Sequence, residues 1–400
     1  MFNARRYRNL LEAARRDRNE RRFWNDLETD LAGYSANEFS VRQIWEAFVD
    51  DGREILDMWA HEMRGYGNQT GIVSLEESGV TTVAFARITE KIFGDMVLAT
   101  WAEPIYIADR LVETRPTRYL DGEKMAGLSN IGDMIDEVGE GMPYPMGGVS
   151  EEWIETPRTT KYGLIVPVTK EALIADRTGE LQDRCQSHAR ALRVNKEKRV
   201  LDVVLGISNT YRRNGGPAQN TYGTSHTQGD FSNLNTSNPL DDYSAFETSD
   251  NSFNALVDPN TGDPITVIPD TILCADEKRN LATMIKNATE VRLTNGSTLT
   301  VAPNPLNLSR PDGITNTEEV VSNKFVKTRL AAAGGVATTW YRGQPRMAFG
   351  YAQVWPITTT RAPRDSHLEF YNDIVESFEV SERGVPFVKE PRYMQKNTAG

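Results

Sequence analysis

TGELQDRCQSHARALRVNKEKRVLDVVL, residues 178–205, is the stretch of sequence that decides the fold. No proline occurs between Val168 and Gly216, so nothing in the chain interrupts a helix there. The spacing predicts one helix from about Thr178 to Leu205, about 42 Å long at 1.5 Å per residue. We expect the stem of Lys196 to lie along apolar surface while its amine reaches water. One side of this helix has a recurrence of three to four residues: Leu181, Cys185, Ala189, Leu192, Lys196, Val200 and Val204.

The chain before this helix, residues 111–169, has the pattern of extended structure. LVETRPTRYL at 111–120 alternates apolar and polar residues, and SEEWIETPRTTKYGLIVPVT at 150–169 is rich in β-branched and aromatic residues. Between them lies DEVGEGMPYPMGG at 136–148, a charged loop with two prolines. The pattern predicts a hairpin-like excursion of about fifty residues, a length that usually has a function. The loop can be interpreted as an active-site lid, a flexible linker or an arm that grips another subunit.

The chain after the helix changes character twice. Residues 206–262 are rich in Asn, Ser, Thr, Gly and Asp, which predicts a long surface excursion. PITVIPDTILCA then reads as a strand, followed by a helix that Asp276 caps and that continues through Lys286. The tail alternates strands and turns, with Glu382, Arg383 and Gly384 as a hairpin turn. The mixture of elements predicts the α+β class.

The first ninety residues have a helical pattern. Good helix formers run from Arg5 to about Leu27. Ser40 and Gln43 form a capping box, with Phe39 and Ile44 placed as a hydrophobic staple, so we predict a second helix that continues through Trp59. This prefix is interpreted as a small domain, a docking arm or a removable assembly segment.

Composition and charge restrict the class of protein. An apolar content of 39% and 25% charged residues, over 400 residues, describe a soluble globular chain of two or three packed units. No membrane span or secretory signal is predicted, and Cys185 and Cys274 suggest neither a disulfide framework nor a zinc site. We therefore expect a protein made and kept in a cytoplasm. Residues 1–22 carry a net charge of +5. The rest of the chain carries a net charge of −16, and the two add up to the total of −11.

The sequence contains no catalytic, cofactor-binding or metal-binding motif that we recognise. Its four histidines form no metal-ligand spacing, and His188 is interpreted as an ordinary helix residue. DPNTGD at 258–263 lacks the ligand spacing of a calcium loop and is interpreted as a turn. Asp136, Glu137 and Glu140 are interpreted as solvated acids rather than a general acid/base set. We therefore predict a non-enzymatic protein without cofactors.

Several segments resemble one known family. They are EVGEGMPYP at 137–145, IETPRTTKYGLIVPVTKEALIADRTGEL at 154–181 and NKEKRVLDVVLG at 195–206, followed by FGYAQVWPI at 349–357 and DIVESFEVSERGVPFVKEPRYM at 373–394. The order of elements and these segments are similar to the major capsid proteins of tailed double-stranded-DNA bacteriophages, which have the Hong Kong 97-type fold. The resemblance covers roughly 110–400 and is weakest over 210–320. EFSVRQIWEAFVDDGREILDMW at 38–59 resembles the prefix of a Mu-like prophage subgroup.

The resemblance implies names for the parts of the chain. In order, these are a helical N-terminal arm (1–110), an extended loop that lies over a neighbouring subunit (111–169), a peripheral domain with a spine helix (170–210), an axial domain (211–350) and return strands of the peripheral domain (351–400). It also implies self-assembly into the hexamers and pentamers of an icosahedral head, a portal, and decoration or scaffolding proteins as further partners. No membrane is implied. The implied location is the virion, assembled in the cytoplasm of a bacterial host.

The resemblance also implies roles for particular residues. Contacts with a neighbouring subunit are expected from the extended loop at Glu140, Met142, Tyr144, Met146 and Trp153. The N-terminal part is expected to face the lumen, where its arginines contact packaged double-stranded DNA non-specifically or dock onto acidic surfaces of neighbouring subunits. These arginines are Arg5, Arg6, Arg8, Arg15, Arg16 and Arg18.

One departure from the family concerns covalent cross-linking. A branch of the family joins its subunits by an autocatalytic bond between a loop lysine and an asparagine. Here Tyr144 stands before Pro145, and no lysine occurs from Ala126 to Thr160. We therefore predict no isopeptide cross-links. Two other functions stay open from the sequence: an encapsulin-like cargo nanocompartment shell, and a hydrolase or binding module with residues 136–148 as a lid.

Overall fold

The structure of the chain, a computed structural model, mixes helices and strands, which confirms the α+β class. The chain divides into two compact units. The first comprises Met1–Glu103, Lys161–Arg193 and Pro356–Glu382; the second comprises Pro104–Thr160, Val194–Trp355 and Arg383–Gly400. The residues that the structure describes are 4–16, 23–27, 40–49, 52–63, 81–103, 105–126, 153–175, 178–226, 231–257, 264–295, 298–304, 318–362 and 372–399.

The elements of the chain up to the long helix are, in order, α1 (Ala4–Arg16), α2 (Val41–Phe48), α3 (Gly52–Met63), α4 (Thr81–Trp101), α5 (Ala108–Leu111), β1 (Glu113–Pro116), β2 (Lys124–Ala126), β3 (Trp153–Glu155), β4 (Thr160–Thr169), α6 (Lys170–Ile174) and α7 (Thr178–Val204). The helical prefix predicted from the sequence is therefore divided, within the described residues, into separate helices, of which the named ones have 8 to 21 residues.

The remaining elements are β5 (Leu234–Asn235), α8 (Ser244–Asn254), β6 (Thr271–Ala275), α9 (Arg279–Asn287), β7 (Glu290–Asn295), β8 (Thr298–Pro303), β9 (Glu319–Asn323), α10 (Lys324–Ala332), β10 (Trp340–Gly343), α11 (Pro345–Ala348), β11 (Phe349–Arg361), β12 (Ile374–Val388) and β13 (Met394–Asn397). Two 3-10 turns, Asp276–Lys278 and Pro391–Tyr393, precede α9 and β13.

The first unit has its core where α2 and α4 meet. The Trp45 ring packs edge-on against the Phe85 ring at 4.9 Å between centroids. Ser40 caps α2, since its side chain accepts a hydrogen bond from the Gln43 N–H at 3.2 Å, as the capping box predicts. The single helix predicted through Trp59 is wrong, because Val49 is extended (φ −96°, ψ 129°) and a new helix begins at Gly52. Phe39 lies outside the described residues.

The second unit is built on a five-stranded sheet in the order β5-β13-β10-β6-β9. The central strand β10 is buried along its whole length. Tyr222 and Tyr341 donate their hydroxyls to the carbonyls of Val204 and Leu205, at 2.6 and 3.0 Å, and so satisfy backbone groups at the C-terminal end of α7. Strand β1 pairs in parallel with β11, from Glu113 opposite Gly350 onwards.

The long helix predicted from the sequence is confirmed. Helix α7 has 27 residues, and every residue of its predicted stripe is buried. The prediction for the amine of Lys196 is wrong. The Lys196 side chain is only 4% exposed, and its Nζ donates to Asp109 at 2.8 Å and lies 4.6 Å above the Tyr351 ring. A carboxylate and an aromatic face replace the water that the sequence pattern suggested.

Three further expectations differ from the structure. Residues 206–262 are not only a surface excursion, because they include α8 and buried Tyr211, Tyr222 and Phe246. Asp276 does not cap α9, since it lies in a 3-10 turn and accepts a hydrogen bond from the Ser322 hydroxyl at 3.1 Å. Residues 382–384 are not a turn, since β12 continues straight through them.

Within the described residues, no helix is long and apolar enough to cross a bilayer.

Candidate inter-subunit arm and its anchorage

The base of the predicted arm is an antiparallel pair of short strands. Lys124 lies opposite Glu155, Met125 opposite Ile154 and Ala126 opposite Trp153. This pairing confirms that the chain leaves and returns as a hairpin. The tip of the arm, with Glu140, Met142, Tyr144 and Met146, lies outside the described residues, so the contact roles of these residues stay predictions.

The loop at 211–216 pairs with the free edge of β3 through backbone hydrogen bonds, and so extends the two-stranded base. Ile154 and Arg213 form an isolated antiparallel bridge, and the Glu155 N–H donates to the Arg212 carbonyl at 3.1 Å. Asn214 and Trp153 bind each other twice: the Asn214 N–H donates to the Trp153 carbonyl at 2.9 Å, and the Trp153 N–H donates to Asn214 Oδ1 at 3.0 Å. Asn214 has a φ of 51°, a conformation that asparagine tolerates better than most residues.

Trp153 is the one predicted contact residue of the extended loop that the structure describes. It is half-buried, and the Lys124 ammonium lies 4.8 Å above its ring. Its Nε1 is buried and has no hydrogen-bond partner among the described residues. Ile154 beside it is 5% exposed and belongs to the core of the second unit. The start of the returning strand is therefore fixed to its own unit.

A second set of hydrogen bonds fixes the chain just outside the strands. The Thr156 hydroxyl accepts from the Glu123 N–H at 2.7 Å, and the Thr156 N–H donates to the Glu123 carbonyl at 2.9 Å. Gly122 has a φ of +99°, and a Cβ there would lie 2.5 Å from the Thr156 carbonyl oxygen. Glycine is therefore required at this point of the arm.

The approach to the arm is held by charged residues on α7. Glu197, which is completely buried, accepts the N–H groups of Ile107 and Ala108 at 3.0 and 2.9 Å. Asn323 adds its amide to Glu197 Oε1 at 3.2 Å. Together with the Lys196–Asp109 ion pair, these bonds attach α5 to the long helix. The chain enters β1 directly after α5.

Residues of the tail also contact the arm's approach and return. Arg383 donates its Nε to the Thr159 hydroxyl at 3.0 Å and an Nη to the Thr159 carbonyl at 3.2 Å. Lys389 forms an ion pair with Glu113, and this hydrogen bond lowers the pKa of the Glu113 carboxyl despite the opposing effect of burial. Residues distant in sequence therefore hold both ends of the excursion.

The predicted lumen-facing arginines are placed only in part. Arg5, Arg6, Arg8, Arg15 and Arg16 lie on α1, and Arg18 lies outside the described residues. Arg8 forms an i,i+4 ion pair with Glu12 at 3.1 Å, and Arg16 is exposed. On the same helix, Tyr7 and Leu11 are buried in the core of the first unit. Whether these arginines meet DNA or neighbouring subunits stays a prediction.

The sequence did not indicate the buried charges that anchor the arm. Glu197 follows Lys196 in the sequence but lies outside the predicted apolar stripe, in a run of charged residues, so no local pattern marked it as buried. Glu113, Asp109 and Thr159 carry no sign of their partners. The structure also describes no group of three or more acids, histidines or cysteines arranged to hold a metal, as far as its described residues extend.

Comparison with known proteins gives one family match. The sequence model of the phage capsid protein family matches residues 153–397, from the first residue of β3 to the last residue of β13. No curated protein sequence matches this chain.

Several solved structures are similar to this chain at low sequence identity. The virus-like particle from Pyrococcus furiosus is 9% identical, with 76% of this chain and 97% of that chain covered and a TM-score of 0.38. A phage-related protein from Bordetella bronchiseptica RB50 is 11% identical, with 76% of this chain and 95% of that chain covered and a TM-score of 0.41. The procapsid of bacteriophage JBD30 is 12% identical, with 79% of this chain and 75% of that chain covered and a TM-score of 0.39.

Proposed function

This chain belongs to the phage capsid protein family and is a structural capsid protein, and from that premise we propose that its copies form the hexamers and pentamers of an icosahedral phage head. The observation that carries the proposal is the family match over residues 153–397. The match includes the returning strand of the arm, the long helix and the closing strands. The family agrees with the Hong Kong 97-type fold expected from the sequence.

Residues 111–169 serve in this proposal as the arm that one subunit lays over another. The anchoring described above supports this role, because an arm that is fixed at its base loses less conformational entropy when it docks. Many modest contacts of this kind, repeated around a closed shell, add up through multivalency. Trp153, Met142, Tyr144, Met146 and Glu140 are the proposed contact residues.

The division into peripheral and axial domains is also part of the proposal. The long helix and residues 351–400 belong to the peripheral domain, and residues 211–350 form the axial domain around the centre of each capsomer. A portal supplies the entry for DNA, and decoration or scaffolding proteins are further partners. The particle is assembled in the cytoplasm of a bacterial host and carries the chain into the virion.

The content of purified particles tests the phage-head proposal. Particles from cells that carry the complete set of head genes are treated with nuclease, and the protected nucleic acid and co-purifying proteins are identified. We expect double-stranded DNA inside mature particles. Particles that hold an enzyme and no DNA would instead indicate a cargo nanocompartment. A stable monomer that binds a small ligand would contradict the shell and favour the lid.

The arginines of α1 give a separate test within the same particles. Replacement of Arg5, Arg6 and Arg16 by glutamine should leave assembly intact and reduce the DNA retained at raised salt, if these residues contact packaged DNA. Loss of assembly with normal DNA retention in the remaining particles would favour docking onto neighbouring subunits.

A further inference from the structure

The hairpin formed by β7 and β8 is a separate two-stranded sheet among the described residues. Within them its strands pair only with each other. Val301 in β8 is 50% exposed, and Met284, on the helix that leads into the hairpin, is 70% exposed. A two-stranded hairpin is only marginally stable alone in water. The exposed apolar surface of Val301 and Met284 therefore favours further packing.

The base of this hairpin is fixed by Asn304. Its side-chain amide donates to the carbonyls of Ile285 and Ala288, both at 2.8 Å, and its backbone N–H donates to the Thr289 carbonyl at 3.0 Å. Asn304 is 1% exposed. The hairpin therefore projects from a fixed base at the C-terminal end of α9, and such preorganisation lowers the entropic cost of docking.

The same unit contains a groove of about 670 Å³ along β9. All five residues of β9 line it, together with Ile107, Arg110 and Phe325. Ile105 stands on its wall with 68% of its surface exposed. Two of the lining residues, Arg110 and Glu319, form an ion pair with each other.

One edge of β9 is open on the groove side. β9 is the last strand of its sheet and pairs in parallel with β6. The Glu319 N–H donates to the Asp270 carbonyl at 2.7 Å, toward β6. Because backbone groups alternate in direction along a strand, those of Val320 and Ser322 point away from β6. A strand with such an open edge can accept another strand through main-chain hydrogen bonds.

We propose that the β7–β8 hairpin of one copy docks along β9 in the groove of the next copy. This inference rests on the proposed function, which supplies second copies of the chain as neighbours. A six-residue hairpin strand is about 20 Å long and β9 about 17 Å, at 3.3 Å per residue, so the two edges match in length. The charges of Glu290 and Arg292 on the hairpin cancel. The groove lining carries one net positive charge, from Arg110, Arg279 and Lys324 against Asp276 and Glu319, so charge does not oppose the contact.

Hairpin and groove are different surfaces of the same subunit. The contact is therefore head-to-tail, and repetition closes it into a ring when the rotation between copies permits. A capsomer of five or six copies is such a ring. The hairpin–groove contact thus gives the capsomer an interface separate from the arm.

Cysteine cross-linking tests this contact in assembled particles. The double variant Val301→Cys/Ile105→Cys places one thiol on the hairpin and one in the groove, both at exposed positions. The native Cys185 and Cys274 interfere little, because burial raises the pKa of each thiol to about 12. With a short bismaleimide we expect most of the monomer band to be lost to a ladder that ends at pentamers and hexamers.

Matched controls separate this geometry from others. Val301→Cys alone and Ile105→Cys alone should give no ladder, and Val301→Cys/Met347→Cys should give none because Met347, though 40% exposed, lies outside the groove. Dimers from Val301→Cys alone would show that hairpins meet each other and would overturn the proposal. Particles that form normally but show no ladder in the double variant would also overturn it and leave the proposed function standing. A chain that forms no particles would contradict the proposed function itself.

Discussion

Glu197 and Lys196 are neighbours on the long helix, both buried, and both hold the short helix that precedes the arm. Glu197 binds two backbone N–H groups at its start, and Lys196 binds Asp109 within it. A buried charge is costly unless it is paired and hydrogen-bonded, as both of these are. Sequence reasoning marked Lys196 as an exception in an apolar stripe, but it could not identify Asp109, 87 residues away, as the partner.

Substitution of Glu197 tests this anchorage. Glu197→Gln removes the charge and turns an amide donor toward the N–H groups of Ile107 and Ala108, and should lower the free energy of unfolding by about 3 kcal/mol. The exposed Asp183→Asn on the same helix is the matched control and should change it by less than about 0.5 kcal/mol. Urea unfolding of the unassembled chain measures both. Equal effects for the two variants would contradict the role assigned to Glu197.

His226 gives a second prediction, for the dependence of stability on pH. Burial lowers the pKa of this imidazole below its usual 6.5, against the opposing effects of the Asn233 hydrogen bond and the Glu390 charge. The unfolded chain therefore binds the proton first, so the free energy of unfolding should fall as the pH decreases below about 6.5. His226→Gln should lose that part of the slope between pH 7.5 and 5.5 in urea unfolding. An unchanged slope would mean that His226 does not titrate in this way.

Helices and strands differ in how far the sequence predicted them. The long helix was predicted almost to its ends, because its stripe of apolar residues is a local pattern. The sequence did not predict that β12 continues through Glu382, Arg383 and Gly384. Gly384 lies under the Tyr351 ring, where a Cβ would be 2.5 Å from a ring carbon, so this glycine serves close packing rather than a turn. Such a contact depends on a residue far away in sequence.

Two glycine substitutions should therefore have opposite effects. Gly384→Ala forces its Cβ into the buried Tyr351 ring and should lower the free energy of unfolding by about 1–3 kcal/mol. Gly179→Ala, near the start of the long helix with nothing within 4 Å of the added Cβ, should raise it by roughly 0.5–1 kcal/mol. Thermal unfolding of the two variants beside the parent chain checks both signs. A tolerated alanine at position 384 would refute the close-packing explanation.

The arm carries a prediction of its own. With no lysine from Ala126 to Thr160, mature particles should run as a single monomer band on a denaturing gel, without covalent ladders. Mass spectrometry of a digest of the same particles should show no pair of peptides joined by a lysine–asparagine bond. Ladders in the absence of any added cross-linker would contradict this expectation.

For the whole molecule, the sequence predicted the α+β class and the family, but not how the chain is shared between its two units. Both α7 and the long strands β11 and β12 contribute residues to each unit. The packing core of the second unit combines Ile107, Val200, Tyr341 and Met394, which are far apart along the chain. Long-range association of this kind has no local pattern, whereas helix periodicity and family-like segments do. The predicted boundaries of the capsid domains remain part of the proposal.

The measurement that tests the central claim most directly compares the assembly of the full chain with that of a chain lacking residues 135–149. Size-exclusion chromatography and negative-stain microscopy are applied to both, together with a variant in which a Gly/Ser stretch of equal length replaces the segment. We predict capsomers or closed shells from the full chain, and their loss in both variants while circular dichroism shows that the folded units are retained. Shells that form equally well without residues 135–149 would contradict the arm as the device that joins the subunits.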